Sequence, residues 1–370
     1  MEDLLKNIKP ILLMGPGPSC VSDDAYAALP KFTLGHLDPY FITIMDAIKA
    51  QLRQVFHTKN EMTFTISGTG TSGMETCFVN LVEKGDKVLV LINGVFGKRQ
   101  MDVATRLGAD VDVLDIPFGQ PILPEAVAEK LKSGPYKIVS IVHAETSTGV
   151  RNPVEEIAKL VKATGALFLV DCVTSLGCIP VTVDAWQADA VYSCSQKGLS
   201  CPPGLSPVTF SAQAMEKVKA RKTKVPNWSL DLTLLEKYWE GSPRAYHHTA
   251  PANMYYSLYA GLRAFLMEGE DKVFARQMAA HKQLVDGLTA LGLKLTVAEA
   301  HRLPVVNVVS IPEGVKDAEV RGRLLKEFEI EIGAGLADLA GKVWRIGLMG
   351  QTSKPENVSR LLDALKKILS

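Results

Sequence analysis

The feature that most constrains the fold is an alternation of short apolar runs with amphipathic segments between about residue 60 and residue 210. Short apolar runs are typical of buried strands, and amphipathic segments with helical spacing are typical of helices packed on a sheet. Strands that alternate with helices indicate an α/β fold with a parallel or mixed sheet and helices on both faces. The predicted strands are Met62–Ser67, Lys87–Ile92, Asp110–Leu114, Ile138–His143, Leu167–Val170, Ala190–Ser193 and Val208–Ser211. The predicted helices between them are Gly73–Leu81, Lys98–Leu107, Pro124–Lys132 and Val154–Thr164.

The last part of the chain predicts a smaller α+β domain. Residues 253–291 have apolar side chains at helical spacing and predict a long helix that Gly269 interrupts. Further predicted strands and helices follow at Leu293–Val297, Val305–Ile311, Asp317–Phe328, Val343–Leu348 and Lys354–Leu369. We therefore expect an N-terminal arm over residues 1–16, a large domain over 17–255 and a small C-terminal domain over 256–370.

Composition excludes several classes of partner. The chain of 370 residues is 47% hydrophobic and 22% charged, which is ordinary for a globular protein. Its net charge of +1 creates no overall field that would attract nucleic acid or an anionic membrane. No apolar run reaches the ~18 residues that a membrane span requires. We expect neither nucleic acid nor a membrane as a partner.

The cysteines indicate a reducing compartment. Six cysteines stand at positions 20, 77, 172, 178, 194 and 201, and no two have CxxC spacing. They predict buried thiols of a cytoplasmic protein rather than a disulfide framework. The histidines are scattered as well, so the sequence predicts no metal site. The start of the chain, Met1–Lys6, lacks the apolar core of a signal peptide, and its end is not the peroxisomal tripeptide.

Two predicted strands end in side chains that suit a pyridoxal phosphate (PLP) site. One apolar run ends in Asp171, and the small polar residues after another lead to Lys197. A lysine can form a Schiff base with PLP, while an aspartate can keep the ring nitrogen protonated so that the ring accepts electrons. Each residue alone also fits an ordinary role, Lys197 as a solvated surface residue and Asp171 as a helix N-cap.

A glycine-rich turn precedes the first predicted helix. Gly68, Gly70 and Gly73 let the backbone approach a ligand, and Thr69 and Thr71 add hydroxyl donors at the helix start, which suits a phosphate. The pattern lacks the Gly-Lys-Ser/Thr of a P-loop, and no acid follows where a dinucleotide fold would have its ribose ligand. A turn without a ligand is the remaining alternative.

Taken together, these motifs carry a resemblance to a known family. The ordered set comprises Gly15–Pro18, Thr69-Gly70, the segment His143–Gly149 (HAETSTG), Val170-Asp171, Ser195–Lys197, Tyr246–Thr249 and Arg345–Leu348. The chain resembles the class V, fold type I, PLP-dependent aminotransferases, and within them the alanine–glyoxylate and serine–glyoxylate (serine–pyruvate) group. The resemblance covers nearly the whole chain. It implies a large, mostly parallel seven-stranded mixed sheet domain that binds PLP, with a smaller C-terminal α+β domain.

The resemblance implies a role for each matching position. Lys197 would form the Schiff base with PLP, and Asp171 would pair with the pyridine nitrogen. Further implied cofactor ligands are Thr69, Gly70 and Gln196 at the phosphate, Thr146 at the phenolic oxygen, Val173 and Phe96 on the two ring faces, and Thr71.

Other positions imply the substrate and a partner subunit. Arg345 would bind the substrate α-carboxylate, with Gly17 and Thr146 beside it. Tyr246 and Thr249 would reach the phosphate of the neighbouring subunit, so the resemblance implies a homodimer with shared active sites.

The implied reaction is ping-pong transamination from a small L-amino acid, alanine or serine, to glyoxylate or pyruvate. Ureidoglycine and kynurenine-type donors occur in the same group and stay open, and Asn253 is one position where an unusual donor would be recognised. Thr71 and Phe96 stand where the animal members have histidine and tryptophan, which leaves the substrate more open than the reaction.

Two rival interpretations come from other classes. A PLP lyase such as a cysteine desulfurase requires a mobile catalytic cysteine and a histidine stacked on the ring, where this chain has Phe96. A silent scaffold that keeps the fold is disfavoured by the intact Lys197, Asp171 and Arg345.

Overall fold

The computed structural model describes residues 3–370. Residues 1 and 2, which begin both the predicted N-terminal arm and the segment Met1–Lys6, lie outside the described residues. The strands are β1 (Leu12–Leu13), β2 (Met62–Ser67), β3 (Lys87–Ile92), β4 (Asp110–Asp115), β5 (Ile138–Val142), β6 (Ala144–Glu145), β7 (Val150–Arg151), β8 (Leu167–Asp171), β9 (Ala190–Tyr192), β10 (Leu205–Phe210), β11 (Val306–Ser310), β12 (Ile330–Glu331), β13 (Gly333–Ala334) and β14 (Val343–Gly347). The helices are α1 (Asp23–Ala28), α2 (Pro39–Val55), α3 (Gly70–Leu81), α4 (Val95–Arg106), α5 (Pro124–Leu131), α6 (Val154–Ala163), α7 (Val183–Trp186), α8 (Ala212–Lys219), α9 (Leu232–Trp239), α10 (Ala252–Glu268), α11 (Glu270–Ala290), α12 (Asp317–Phe328) and α13 (Pro355–Leu369).

Seven strands form one large sheet in the order β2-β10-β9-β8-β5-β3-β4. The neighbours from β9 to β4 run parallel, and only β10 is antiparallel to the strands beside it. Strands covered by helices on both faces need apolar side chains on both, and β3, β5 and β8 are accordingly buried almost throughout. The carboxyl ends of β2, β5, β8 and β9 therefore meet at one edge of the sheet.

The small domain is built around a three-stranded antiparallel sheet in the order β11-β14-β13. Its buried cluster centres on Trp344 and includes side chains of α12 and α13. The N-terminal strand β1 pairs with β12 in parallel, so Met14 packs in this second cluster rather than in the large one. The chain then crosses from the small domain to the large domain at residues 15–19.

Helices α10 and α11 connect the two clusters. The buried side chains of α10, such as Leu258 and Leu262, pack in the large cluster. The later side chains of α11, such as Leu284 and Leu288, pack in the second cluster. The predicted division between residues 255 and 256 stays a prediction, and the two buried clusters meet within α11.

Most predicted elements have bounds within a few residues of those observed, but one predicted strand is wrong. Over Leu293–Val297 only Leu295 forms an isolated bridge, with Val309. The Thr296 amide bonds Val308 and the Ser310 amide bonds Lys294, so this segment follows the edge of β11 without a regular ladder. The long helix α2 was absent from the predicted elements, although it buries Phe41, Met45, Ile48 and Leu52 along one face.

Candidate active site

A cavity of about 170 Å³ opens at the carboxyl edge of the large sheet. This is more than ten times the space that one water molecule needs. Ligands of open α/β sheets bind at this edge, because the loops that follow the strands leave a crevice there. The lining residues are Thr69, Gly70, Thr71, Met74, Phe96, Arg99, Val142, Ala144, Thr146, Asp171, Val173, Thr174, Tyr192, Gln196 and Lys197.

Lys197 enters the cavity from the turn that follows β9. Ser19 anchors this turn, since its hydroxyl donates to the Lys197 carbonyl at 2.7 Å and its amide donates to the Gln196 carbonyl at 2.9 Å. The Lys197 amine donates to the Pro16 carbonyl. Burial lowers the pKa of Lys197, because a charged ammonium loses its hydration in the cavity wall.

Gly17 lies directly against the lysine. A side chain at this position would occupy the space of the Lys197 side chain. The backbone of Gly17 also has φ of +119°, a conformation that side chains other than hydrogen rarely tolerate. Glycine is therefore required for the N-terminal segment to pass beside the lysine.

Asp171 is the last residue of β8, and its carboxylate faces the cavity. The Val173 amide donates to its Oδ1 at 2.7 Å, and the Tyr192 hydroxyl donates to its Oδ2 at 2.7 Å. Burial raises the pKa of Asp171 to about 6, while these two hydrogen bonds and the nearby Lys197 oppose that rise. The carboxylate is thus fixed in orientation on both oxygens.

The first residues of α3 supply donors on another wall of the cavity. Thr69 is the N-cap, yet its hydroxyl makes no capping hydrogen bond. The amides of Ser72 and Gly73 donate to the Thr69 carbonyl, whereas those of Gly70 and Thr71 have no acceptor within the helix. Such a helix start favours an anion through its free amides and its dipole. The buried side-chain oxygen of Gln196 nearby has no hydrogen-bond partner among residues 3–370. An amide side chain in a cavity wall can turn its NH2 group, a donor, toward an anion.

Phe96 lies in the first turn of α4, and the buried carboxylate of Glu145 holds that turn in place. The amides of Phe96 and Gly97 donate to Glu145 Oε2 at 3.1 Å and 3.3 Å. Ser147 donates to Oε1 through its amide at 3.1 Å and its hydroxyl at 2.5 Å. Burial raises the pKa of Glu145 to about 7, and the Ser147 hydrogen bonds oppose the rise.

We expect Glu145→Ala to destabilise the protein by about 2–4 kcal/mol, because it leaves four donors, three of them buried, without their acceptor. Chemical denaturation monitored by tryptophan fluorescence measures the change. Glu155→Ala, which removes an exposed carboxylate on α6 paired only with Lys159, is the matched control and should cost less than about 0.5 kcal/mol. Equal effects of the two substitutions would contradict this role of Glu145.

Arg345 lies at the centre of β14 and is buried. Its Nε donates to the Ala334 carbonyl at 2.6 Å, and its Nη1 donates to the Thr146 carbonyl at 3.3 Å. Burial lowers the pKa of Arg345 to about 10, and the negative charge of Glu145 opposes this. Arg345 does not line the cavity itself, but Thr146, to which it is bonded, does.

Three predicted positions lie apart from the cavity. The Tyr246 side chain is 60% exposed and contacts the His36 ring, with 4.7 Å between ring centroids. Thr249 is also exposed and is not among the lining residues. Asn253 bonds the carbonyls of Leu29 and Lys31 at 2.8 Å and 2.7 Å, so within one chain it does not face the cavity.

Residues 23–361 match the family described as Aminotransferase class-V. The chain belongs to the class-V aminotransferases. Alanine–glyoxylate aminotransferase of Drosophila melanogaster is 37% identical over 361 residues, covering 96% of this chain and 92% of the relative. (S)-ureidoglycine–glyoxylate transaminase of Bacillus subtilis is 36% identical, covering 96% and 90%. The crystal structure of alanine–glyoxylate aminotransferase from Nostoc sp. superposes with a TM-score of 0.97 at 47% identity, covering 100% of this chain and 97% of that chain.

This class-V aminotransferase is therefore a PLP-dependent enzyme with the fold type I architecture. The cavity fits the cofactor, because it combines a buried amine, a carboxylate fixed on both oxygens, an aromatic ring and a helix start with free amides. A cysteine desulfurase from Thermococcus onnurineus shares the fold at 17% identity with a TM-score of 0.76.

The structure adds site residues that the sequence analysis of this class-V aminotransferase missed. They are Met74, Arg99, Val142, Ala144, Thr174 and Tyr192 in the cavity wall, and Glu145 behind it. Tyr192 carried a usable signal, since it is the last apolar residue of the predicted strand Ala190–Ser193, which leads to Lys197. Its contact with Asp171 depends on the register of β8 with β9, which pairs the two residues directly. Arg99 lies on α4 over the Phe96 ring, 5.0 Å from its centroid, and no local pattern marks it.

Other kinds of site are absent from the part of the chain that the structure describes. Residues 3–370 contain no group of three or more histidine, cysteine or acidic side chains that could hold a metal ion. None of the helices in that range combines the length and apolar character needed to cross a bilayer. All six cysteines are free thiols, and five of them are buried.

Proposed function

We propose that the enzyme transfers the amino group of a small L-amino acid, alanine or serine, to glyoxylate or pyruvate. The observation that carries the proposal is that the Lys197 amine and the Asp171 carboxylate line one cavity. The similarity to alanine–glyoxylate aminotransferases of Drosophila melanogaster and Nostoc sp. supports glyoxylate as the acceptor and alanine as a donor.

Lys197 is the proposed covalent attachment point and proton carrier. When bound, PLP supplies an electron sink for the negative charge that forms at substrate Cα. Lys197 would hold PLP through its side-chain amine, and in the loaded enzyme the same amine would accept and carry the proton of substrate Cα. The burial that lowers the pKa of Lys197 favours the neutral amine, which is the form that accepts a proton.

The remaining proposed roles follow the walls of the cavity. Asp171 holds the ring nitrogen protonated, and the helix start of α3 binds the phosphate. The other proposed cofactor contacts are Thr69, Gly70, Thr71 and Gln196 at the phosphate, Thr146 at the phenolic oxygen, and Val173 and Phe96 on the ring faces.

Arg345 is the proposed ligand of the substrate carboxylate. The carbonyls of Ala334 and Thr146 hold Nε and Nη1, so these contacts fix the plane of the guanidinium. A planar, oriented guanidinium suits bidentate binding of a carboxylate. We propose that the backbone of Gly17, which touches Lys197, forms the opposite wall of the substrate pocket.

A panel of donors tests the proposed substrates. Alanine, serine, ureidoglycine, kynurenine and cysteine are each offered with glyoxylate and with pyruvate, and the amino acid and keto acid products are measured. The highest kcat/KM for alanine or serine supports the proposal, whereas preference for ureidoglycine would assign the activity named for the Bacillus subtilis relative. Sulfide release from cysteine would indicate a lyase, although no cysteine among residues 3–370 lines the cavity.

We propose a homodimer in which each active site uses both subunits. Tyr246 and Thr249 lie outside the cavity of their own chain and are exposed, so a second copy is needed to bring them to a phosphate. Trp228, which stacks on the ring of His247 at 4.6 Å, is 63% exposed, and so is Tyr246 at 60%. Exposed aromatic side chains close together favour burial in an interface. Light scattering coupled to gel filtration measures the mass.

Shared sites predict complementation between inactive variants. We expect Lys197→Ala and the double variant Tyr246→Ala/Thr249→Ala each to be strongly impaired. After co-refolding of equal amounts, each mixed dimer has one intact site, so about a quarter of the wild-type activity returns. Mixing Lys197→Ala with Asp171→Ala, which both alter the same chain's cavity, is the control. Recovery in the control mixture, or none in the test mixture, would contradict shared sites.

The cytoplasm is the proposed compartment. Buried free thiols fit a reducing environment, where disulfides do not persist. The division into domains at residues 16/17 and 255/256 is likewise a proposal.

A further inference from the structure

A buried chain of three side chains extends from the cavity wall into the large domain. Gln100 on α4 donates from Nε2 to the Tyr192 hydroxyl at 3.0 Å, and Tyr192 donates to Asp171 Oδ2 at 2.7 Å. Gln100 and Tyr192 are both buried, although Tyr192 also lines the cavity. The Gln100 side-chain oxygen has no hydrogen-bond partner among residues 3–370.

The direction of these hydrogen bonds follows from the charges. Tyr192 has one hydroxyl hydrogen, and a carboxylate is a stronger acceptor than an amide oxygen. The hydrogen therefore points to Asp171, and Gln100 can bond the hydroxyl only as a donor. A donor at Gln100 polarises the hydroxyl and strengthens its bond to the carboxylate.

We propose that Gln100 and Tyr192 are positioning residues that keep Asp171 ionised and oriented toward the ring nitrogen of PLP. The inference rests on the proposed role of Asp171. Each carboxylate oxygen of Asp171 can accept two hydrogen bonds. Val173 and Tyr192 each take one of them from the protein side, so the other is free for a donor in the cavity.

The pH dependence of cofactor binding follows from this arrangement. The ionised Asp171 binds the protonated ring nitrogen, and its pKa of about 6 means that cofactor binding weakens as the pH falls through that value. A hydrogen bond to the charged form lowers a pKa, so loss of the Tyr192 hydroxyl raises the pKa of Asp171. The acid limb of PLP binding, which is the pH range in which binding weakens as the pH falls, then moves to higher pH. The other titratable groups that face Asp171 are Lys197, Arg99, Glu145, Cys77, Cys172 and Cys194.

The test measures PLP released from holoenzyme at equilibrium between pH 5 and pH 8.5, which does not depend on turnover. We expect the acid limb of Tyr192→Phe to lie about one pH unit above that of wild type. Gln100→Met should shift it in the same direction by a few tenths of a unit, since only the polarisation of the hydroxyl is lost. In the Tyr192→Phe background, Gln100→Met should add nothing, because it acts only through that hydroxyl.

Tyr255→Phe is the matched control, since this tyrosine is equally buried and its hydroxyl meets Ser67 rather than the cavity. Its acid limb should coincide with that of wild type. A Tyr192→Phe limb at the wild-type position would overturn the inference, as would an equal Gln100→Met shift in both backgrounds. If Tyr192→Phe does not fold, the Gln100→Met shift alone decides, and its absence overturns the inference.

Asp171→Asn separates this inference from the role on which it rests. Weak PLP binding at every pH, without an acid limb near 6, supports the pairing of Asp171 with the ring. If Asp171→Asn keeps the wild-type acid limb, then the role of Asp171 fails, and the proposed role of Gln100 and Tyr192 fails with it. If Asp171→Asn loses the limb while that of Tyr192→Phe stays at the wild-type pH, then only the role of Gln100 and Tyr192 fails.

Discussion

Lys197→Ala is expected to lower kcat by at least about a thousandfold. The substitution removes both the amine proposed to bind the cofactor covalently and the base proposed to carry the Cα proton, and each role contributes orders of magnitude. Initial rates with the best donor and glyoxylate measure the loss. Borohydride reduction of the wild-type holoenzyme, followed by peptide mass spectrometry, should place the cofactor on the peptide that contains Lys197.

The matched control is Lys162→Met. Lys162 is also shielded from solvent, but its amine bonds Asp189 at 2.6 Å. Asp189 stands just before the first residue of β9, so this pair lies at the amino end of the strand, away from the carboxyl edge that holds the cavity. Its activity per folded molecule should stay within about twofold of wild type. Cofactor found on another lysine after reduction, or turnover by Lys197→Ala close to the wild-type rate, would remove the basis of the proposed mechanism.

Arg345→Met is expected to lower kcat/KM about a hundredfold for both the amino donor and the keto acid acceptor. Both substrates carry a carboxylate next to the reacting carbon, and a charge-assisted pair of this kind is worth about 1.5–3 kcal/mol. PLP binding should change little, because Arg345 does not line the cavity wall that holds the cofactor. Arg345→Lys should recover only part of the loss, since a lysine cannot bind both oxygens in one plane.

Ethylamine, which is alanine without its carboxylate, distinguishes a carboxylate ligand from a purely structural arginine. We expect the wild-type enzyme to discriminate strongly between alanine and ethylamine, and Arg345→Met to lose most of that discrimination. A structural role would lower the rates with both amines in proportion. Replacing Arg345 also removes the donor to the Ala334 and Thr146 carbonyls. Thermal unfolding of Arg345→Met and Arg345→Lys shows whether that loss destabilises the fold.

Local patterns were enough to predict the seven strands of the large sheet. Leu167–Asp171 and Lys87–Ile92 are apolar because both faces of their strands are covered, and that pattern is visible without any partner strand. The pattern fails where pairing depends on distant segments. The segment Leu293–Val297 is apolar enough for a strand, yet the edge of β11 accepts only a single bridge there.

The candidate site divides in the same way. Lys197, Asp171 and the glycine turn are each marked by the residues next to them in the chain, so local sequence was enough to predict them. Glu145 was visible within a motif, but its function as the acceptor for the first turn of α4 depends on two segments that meet about 50 residues apart in the chain.

The amino-acid sequence by itself determined the class of fold and the cofactor chemistry, and it predicted the lysine and its opposing acid, because strand periodicity and the position of a side chain at a strand end are local properties. Only the tertiary structure decided how Asp171 is supported, since the bonds from Tyr192 and Gln100 depend on the β8–β9 register and on the packing of α4. It also decided that Pro16 and Gly17 lie against Lys197, because the N-terminal segment must first pair with the small domain before it can cross to the large one.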